Sequence, residues 1–300
     1  MKIAITGATG LIGKRLATRL AEAGHSLILF SRDADKAKKK LGLAAEYRVF
    51  REKIDLSGAE AVIHLAGEPI AEGRWTEARK KLIMDSRVAT TRAVAQAIRD
   101  LPGKKPSVWI SASAIGYYGD QGNRVLDEES PTGTGFLAEV CRAWEAESIG
   151  AMDFPRDTRR AAFRFGVVLS AEGGALSKLA PVFRAGLGGP IGMGKRWMSW
   201  IHIDDLVSAL VFALQTESLK GPVNAVAPEP STNAEFTRAL AQALHRPAFF
   251  RVPTLALRAA LGQMSEAILS SQRAVPTRLH AGGFKFRHPD LFEALRSLYA

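Results

Sequence analysis

Short runs of consecutive apolar residues alternate along this chain with longer stretches in which apolar residues recur every three or four positions. Residues 3–5 form the first run; the first helical stretch spans 11–23, with Gly24 as its C-cap. Residues 26–30, 61–67, 107–110, 162–169 and 222–227 read as further buried strands. Helical periodicity spans 76–98, stopping at Pro102-Gly103, and then 135–145, 173–183, 206–215 and 234–244. Residues 33–60 are polar; a short helix, a strand near 47–50 and a linking turn are expected there, and 158–161 reads as a loop. Strands alternating with helices predict an α/β fold built on a doubly wound parallel sheet. The sheet domain is expected over 1–170, with strands from about 195–228 returning to it. Residues 171–300 are expected to form mostly a smaller carboxyl-terminal lobe with a helical extension that helices at Thr254 and after Pro276 begin.

The first strand runs into Thr6-Gly7-Ala8-Thr9-Gly10-Leu11-Ile12-Gly13, and the helix starts at once. A strand, a glycine-rich turn and a helix N-terminus make an anion site, because backbone N–H groups and the helix dipole face the ligand and glycine lets it come close. The second apolar run closes a βαβ unit, the context in which such a triplet signals dinucleotide binding. Gly7, Thr9, Gly10, Leu11, Ile12 and Gly13 are the expected pyrophosphate cradle. The second strand ends in Ser31 and Arg32. A hydroxyl and a forked guanidinium there suit the 2′-phosphate of NADP, whereas an acid would bind the 2′-hydroxyl of NAD. Asp33 follows one residue later and leaves the second alternative open.

Composition narrows the picture further. A chain of 300 residues, 47% of them hydrophobic, has ample material for a core. The single cysteine, Cys141, excludes a disulfide framework and a cysteine-based metal cluster and fits a reducing compartment. No apolar run reaches membrane-spanning length, and the N-terminus is itself the first strand, so a cytoplasmic protein is expected. The net charge of +11 favours anionic small molecules. Nucleic acid is not the expected partner: apart from 36–40, which suits a solvated helix face, the charges are scattered and few aromatics lie among them.

The third buried strand ends in Leu65, Ala66 and Gly67, small enough at the end to let a ligand lie across it; His64 before them reads as structural. The strand at 107–110 leads into Ser111-Ala-Ser113-Ala-Ile-Gly116-Tyr117-Tyr118-Gly119-Asp120. Later come Gly186-Leu-Gly-Gly-Pro-Ile-Gly192 and Trp200-Ile-His202-Ile-Asp204-Asp205-Leu206. Together with the glycine spacing, these stretches resemble the short-chain dehydrogenase/reductase superfamily. The resemblance is to its extended, epimerase-like branch, and within that to an atypical group labelled as epimerase family proteins or nucleoside-diphosphate-sugar epimerases. It covers essentially the whole chain.

The resemblance implies that 65–67 touch the cofactor's ribose and adenine side, that the end of the strand containing Gly166 and Val168 lies near the nicotinamide, and that Ser113 holds a substrate oxygen. Arg87 stands where extended members usually carry an asparagine near the cofactor. A cation there suits the pyrophosphate or a substrate anion; a helix-surface arginine is the alternative. The superfamily's Tyr-x-x-x-Lys pair, whose tyrosine passes the proton, is absent: Phe136 and Val140 take the two positions. Three explanations stand: Tyr117 or Tyr118 supplies the proton, the substrate needs no enzyme-bound donor, or the protein binds NADP without turnover. The expected function is an NADP-dependent oxidoreductase or epimerase acting on a small polar molecule such as a nucleotide sugar. The alternative is a non-catalytic NADP-binding redox sensor. The sequence does not decide the oligomeric state; the resemblance admits a homodimer, since many extended members pair through two long helices.

The stretch 186–197 is not a P-loop, since its Gly-Lys lacks a following Ser or Thr. It is expected as a turn or hairpin over the active site, with Arg184, Lys195 and Arg196 as exposed charges or phosphate contacts. Asp204 suits an N-cap beside a structural His202, so no metal site is expected there.

Overall fold

The computed structural model describes residues 1–51 and 53–299; Glu52, in the expected linking turn, lies outside them. In chain order, β1 (Lys2–Thr6), α1 (Leu11–Glu22), β2 (Ser26–Ser31), α2 (Ala34–Leu41), β3 (Glu46–Val49), β4 (Ala61–His64), α3 (Glu77–Asp100) and β5 (Val108–Ala114) build the first half. A 3₁₀ turn (Ile115–Tyr118), β6 (Val125–Leu126), α4 (Phe136–Glu145), β7 (Arg159–Phe165), β8 (Val167–Leu169) and α5 (Gly174–Arg184) follow. Then come β9 (Trp197–Met198), β10 (Trp200–His202), α6 (Ile203–Gln215), β11 (Gly221–Ala225), β12 (Ser231–Thr232) and α7 (Asn233–Ala243). The chain closes with α8 (Thr254–Leu261), α9 (Glu266–Leu269), β13 (Arg273–Ala274), α10 (Thr277–Ala281) and α11 (Leu291–Tyr299).

Seven strands form one sheet in the order β11-β7-β5-β4-β1-β2-β3, all pairs parallel. The order reverses beside β1, which opens a crevice at the carboxyl ends of the strands. Alternation along β1 sorts its side chains to two faces. Ile3 and Ile5 pack with Leu16 and Leu20 of α1 and Leu206 and Leu210 of α6, while Ala4 packs with Val94 and Ile98 of α3 and with Trp109. The doubly wound α/β fold is as expected.

Some local expectations are corrected. The apolar run at 162–169 is two strands. At Gly166, where a Cβ would stand 2.8 Å from the Ser199 carbonyl oxygen, the chain leaves the large sheet. β8 then pairs with β10. The expected loop at 158–161 is mostly strand, because β7 begins at Arg159. Its guanidinium is satisfied by the carbonyls of Ala213 and Leu219, and that of Arg160 lies 4.5 Å over the Phe154 ring. His202, not Asp204, caps α6, its Nδ1 accepting from the Asp204 N–H. Thr232 caps α7 through a reciprocal capping box with Glu235. The glycine stretch does not cover the crevice. Gly189 packs on the Phe250 backbone and Gly194 on Ala234, and Trp200 is core.

The carboxyl-terminal residues are stitched to the sheet domain. β13 pairs with β6, the Asp205 carboxylate accepts from the backbone N–H groups of Arg287 and His288, and α11 packs on α7.

One polar network crosses the core. Arg164 of β7 forms a two-pronged ion pair with Glu145 of α4, both bonds 2.8 Å, and both residues are buried. The Ser113 hydroxyl donates to the same carboxylate at 2.7 Å. Arg164 also donates to the Tyr118 hydroxyl, which donates in turn to Asn224 of β11 at 2.7 Å. The Asn224 and Arg278 N–H groups both donate to Glu128, so the network reaches the last helices. Breaking a buried pair strands its partner's charge. Arg164→Met alone should therefore cost about 3–5 kcal/mol in denaturant unfolding, and Arg164→Met combined with Glu145→Leu markedly less. A double variant as unstable as the sum of the two single variants would contradict the pairing.

Candidate functional site

The crevice holds a cavity of about 690 Å³. Its walls come from the carboxyl ends of β5 and β7, from β8, from the first residue of α1 and from α4, with Glu266, Ala267, Ser270 and Gln272 closing it from the carboxyl-terminal segment. A more open depression of about 870 Å³ lies at the opposite, amino-terminal ends of β5 and β7. Its arginines 159 and 278 are already bonded to backbone carbonyls. Ligands of open α/β sheets bind at the carboxyl ends, so the first cavity is the candidate site.

Beside this cavity the glycine turn has the geometry of an anion cradle. Gly7 has φ +72° and packs so closely on the end of β4 that a Cβ would stand 2.7 Å from the Leu65 carbonyl carbon. A Cβ at Gly13 would overlap the Gly7 carbonyl oxygen. Gly10 begins α1 with no side-chain cap, and the first-turn N–H groups of a helix have no intrahelical partner. Those of Leu11, Ile12 and Gly13 are thus left for a ligand. The Thr9 carbonyl accepts from Lys40 of α2 at 2.9 Å, which anchors the turn. That contact gives one lysine of the 36–40 run a task beyond solvation. No local pattern announces it, because Lys40 and Thr9 meet only through the fold.

At the end of β2, Ser31 is half-buried and Arg32 is exposed with no ion pair among the described residues. Asp33 caps α2, its carboxylate accepting from the Lys36 N–H at 2.9 Å. One oxygen of the Asp33 carboxylate is thus engaged by its own helix. Leu65, Ala66 and Gly67 continue β4 past Gly7, with the Leu65 N–H bonded to the Thr6 carbonyl at 3.2 Å. Val168 lines the cavity beside Gly166.

Ser113 and Tyr117 are placed elsewhere. Ser113 is 2% exposed, absent from the cavity wall, and spends its hydroxyl proton on Glu145. The Tyr117 ring lies 3.6 Å from the Arg164 guanidinium and edge-on to Tyr118, and it too is off the wall. Burial pushes the Tyr118 hydroxyl up to about 12. The expectation that Ser113 holds a substrate oxygen and Tyr117 passes a proton therefore lacks its geometry, since both belong to the Arg164–Glu145 network. Phe136 and Val140 do line the cavity, so the two aligned positions face the site without a proton to exchange. Cys141, also on the wall, is fully buried and its thiol is pushed up to about 12 by desolvation.

Arg87 lines the cavity from α3. Its guanidinium lies 5.1 Å over the Trp144 ring and donates to its own helix at the Ile83 carbonyl, 3.1 Å away. It is no helix-surface arginine. His202, Asp204 and His288 bring ligand-type atoms within 4.8 Å of one another. Here, however, His202 Nδ1 accepts from the Asp204 N–H, and Asp204 is paired with Arg15 at 2.5 Å, an arrangement of cap and ion pair.

A glycine-cradled helix N-terminus at the switch point of a parallel sheet defines a dinucleotide-binding fold of Rossmann type. Residues 3–226 match the NAD dependent epimerase/dehydratase family, and 252–298 match a domain of unknown function, DUF1731. The chain belongs to that epimerase/dehydratase family. It is 40% identical over 305 residues to the epimerase family protein SDR39U1 homolog, chloroplastic, of Arabidopsis thaliana, covering 99% of this chain and 86% of the relative. It is 37% identical over 308 residues to mouse epimerase family protein SDR39U1, covering all of both chains. The crystal structure of the human epimerase family protein SDR39U1 with NADPH superposes with a TM-score of 0.90 at 34% identity, covering 100% of this chain and 99% of that one. UDP-galactose 4-epimerase, 19% identical, shares the fold. Among the described residues no helix is long and apolar enough to cross a membrane.

His64 is fully buried between Thr6, at 2.7 Å, and Thr91, at 3.0 Å, and desolvation pulls its pKa from 6.5 to about 3. The native state refuses the proton that the unfolded chain accepts. His64 thus costs no stability above pH 6.5, and stability is lost as pH falls from there towards 3. The difference in unfolding free energy between wild type and His64→Gln should change across that window by up to about 1.4 kcal/mol per pH unit. A pH-independent difference would contradict the assignment.

Proposed function

We propose that the protein binds NADPH in this crevice and moves hydride between it and a small molecule in the adjoining cavity. The observation that carries the reading is the uncapped, glycine-lined start of α1 facing the crevice, with Ser31 and Arg32 at the next strand end. The N–H groups of Leu11, Ile12 and Gly13 receive the pyrophosphate. Ser31 and Arg32 receive the 2′-phosphate, and Asp33, held as a cap, does not oppose it. Leu65, Ala66 and Gly67 support the ribose and adenine side, and Val168 lies by the nicotinamide. The NADPH in the human relative's structure supports the same cofactor here.

Once bound, the dinucleotide supplies hydride chemistry. The protein's own part is to orient the reactants and exclude water with the apolar wall of Leu11, Phe136, Val140 and Phe165. Because neither Phe136 nor Val140 carries a proton, a second reading has a specific basis: a non-catalytic NADPH-binding protein. Oxidation of NADPH with any member of a carbonyl-substrate panel excludes that second reading.

Titration with NADPH and NADH, followed by nicotinamide fluorescence, tests the cofactor. NADPH should bind at least about tenfold more tightly, since one charge-assisted phosphate contact carries that much. Arg32→Asp should remove the preference with little effect on NADH. Equal loss for both nucleotides would take Arg32 away from the 2′-phosphate, and binding of neither would end the reading.

A further inference from the structure

The charged groups on the cavity wall are Arg87, Glu72, Lys178 and Glu266. Glu72 lies 4.0 Å from Arg79, and Lys178 donates to the Ala71 carbonyl. Glu68, the acid nearest in sequence to Gly67, is paired with Arg79 at 3.0 Å. Arg87 has no ion pair among the described residues, and one of its N–H groups is taken by the Ile83 carbonyl. The guanidinium carries five N–H donors and no acceptor. Burial lowers its pKa, so the charge is held there at a cost. Beside it the Trp144 indole N–H is buried with no acceptor among the described residues. Gly67 lies against the Arg87 side chain, where a Cβ would stand 3.5 Å from the Arg87 Cζ. A cation held on this wall without an ion pair among the described residues calls for a ligand that brings the negative charge.

The cofactor does not bring it. The anionic groups of NADPH are its pyrophosphate, assigned to the turn, and its 2′-phosphate, assigned to Ser31 and Arg32; the reduced nicotinamide end is uncharged. The remaining wall is chiefly apolar, with Ile70, Phe136, Val140, Trp144 and Phe165. A nucleotide sugar would leave its hydroxyls unpaired against such a wall. We infer that Arg87 anchors the acid group of the substrate, and that the substrate is a compact, mostly apolar organic carboxylate and not a nucleotide sugar. The inference rests on the proposal that the adjoining turn takes NADPH.

Protein saturated with NADPH is titrated with benzoate and hexanoate, with their neutral counterparts benzamide and hexanamide, and with UDP-glucose, following nicotinamide and tryptophan fluorescence. The acids should bind at least about tenfold more tightly than the amides, the expected scale for a charge-assisted contact. Arg87→Gln should abolish that difference and leave NADPH affinity within about twofold, while Arg87→Lys keeps part of it. Amides binding as well as acids, acids indifferent to Arg87→Gln, or UDP-glucose binding more tightly than the acids would each overturn the inference. So would an Arg87→Gln variant that loses NADPH as strongly as it loses benzoate, because the cation would then serve the cofactor. If wild type fails to bind NADPH, the cofactor proposal falls by itself. The same acid and amide series on the nucleotide-free protein, read by tryptophan fluorescence and thermal shift, then decides Arg87 separately.

Discussion

The ion pair between Arg164 and Glu145 is the contact on which the architecture around the crevice depends. It ties a central strand to the helix that walls the cavity and, through Tyr118, Asn224 and Glu128, ties both to the sheet edge and the carboxyl-terminal helices. Two charges taken out of water at this depth repay their desolvation only when the geometry is good and the spare lone pairs are used. Here the fork of the guanidinium meets both carboxylate oxygens, and Ser113 supplies a further donor to one of them. That arrangement explains the fate of the expected catalytic serine. A hydroxyl recruited to satisfy a buried carboxylate is held by the core and is not offered to a ligand.

The first half of the fold was legible because its determinants are local. Periodicity, the glycine triplet and the Pro102-Gly103 stop lie within the elements they define, and the helix expected at 76–98 forms from Glu77 to Asp100 with Thr76 as its cap. The glycine turn itself was legible for the same reason, as one continuous stretch. What escaped depends on partners distant in sequence. Ser113 and Glu145 are 32 positions apart, and Lys40 and Thr9 are 31. The break at Gly166 is forced by the Ser199 backbone, which no pattern within 162–169 announces. Arg159 and Arg160 read as a loop from their charges alone, because the carbonyls and the Phe154 ring that receive them lie outside that stretch.

Phe136 and Val140 give the cavity wall no side chain at these positions that exchanges a proton. Phe136 packs edge-on against Trp75, with ring centroids 5.1 Å apart, and Val140 is 1% exposed, so both positions now contribute cohesion. A positive charge stands on α3, where Arg87 reaches over Trp144. An arginine cannot replace an acid, because it stays protonated. It can fix and neutralise an anion, and in a cavity with dry walls that attraction is worth more than in water. Positioning and charge neutralisation are what such a group contributes.

The carboxyl-terminal segment belongs to this same argument. The matched domain at 252–298 supplies Glu266, Ala267, Ser270 and Gln272 to the cavity wall. Ser271 immediately follows and is bonded on both sides: its hydroxyl donates to the Gly122 carbonyl, and its N–H donates to the Asp120 carboxylate. Farther on, Arg278 and the Arg287–His288 backbone are fastened to Glu128 and Asp205. A segment tied at three points to loops and helices of the sheet domain fixes the wall it contributes. The cavity is therefore a joint product of the dinucleotide-binding sheet and its extension. Helix α3 supplies Arg87, which has no ion pair among the described residues, helix α4 supplies the apolar Phe136 and Val140, and the carboxyl-terminal segment supplies part of the remaining wall.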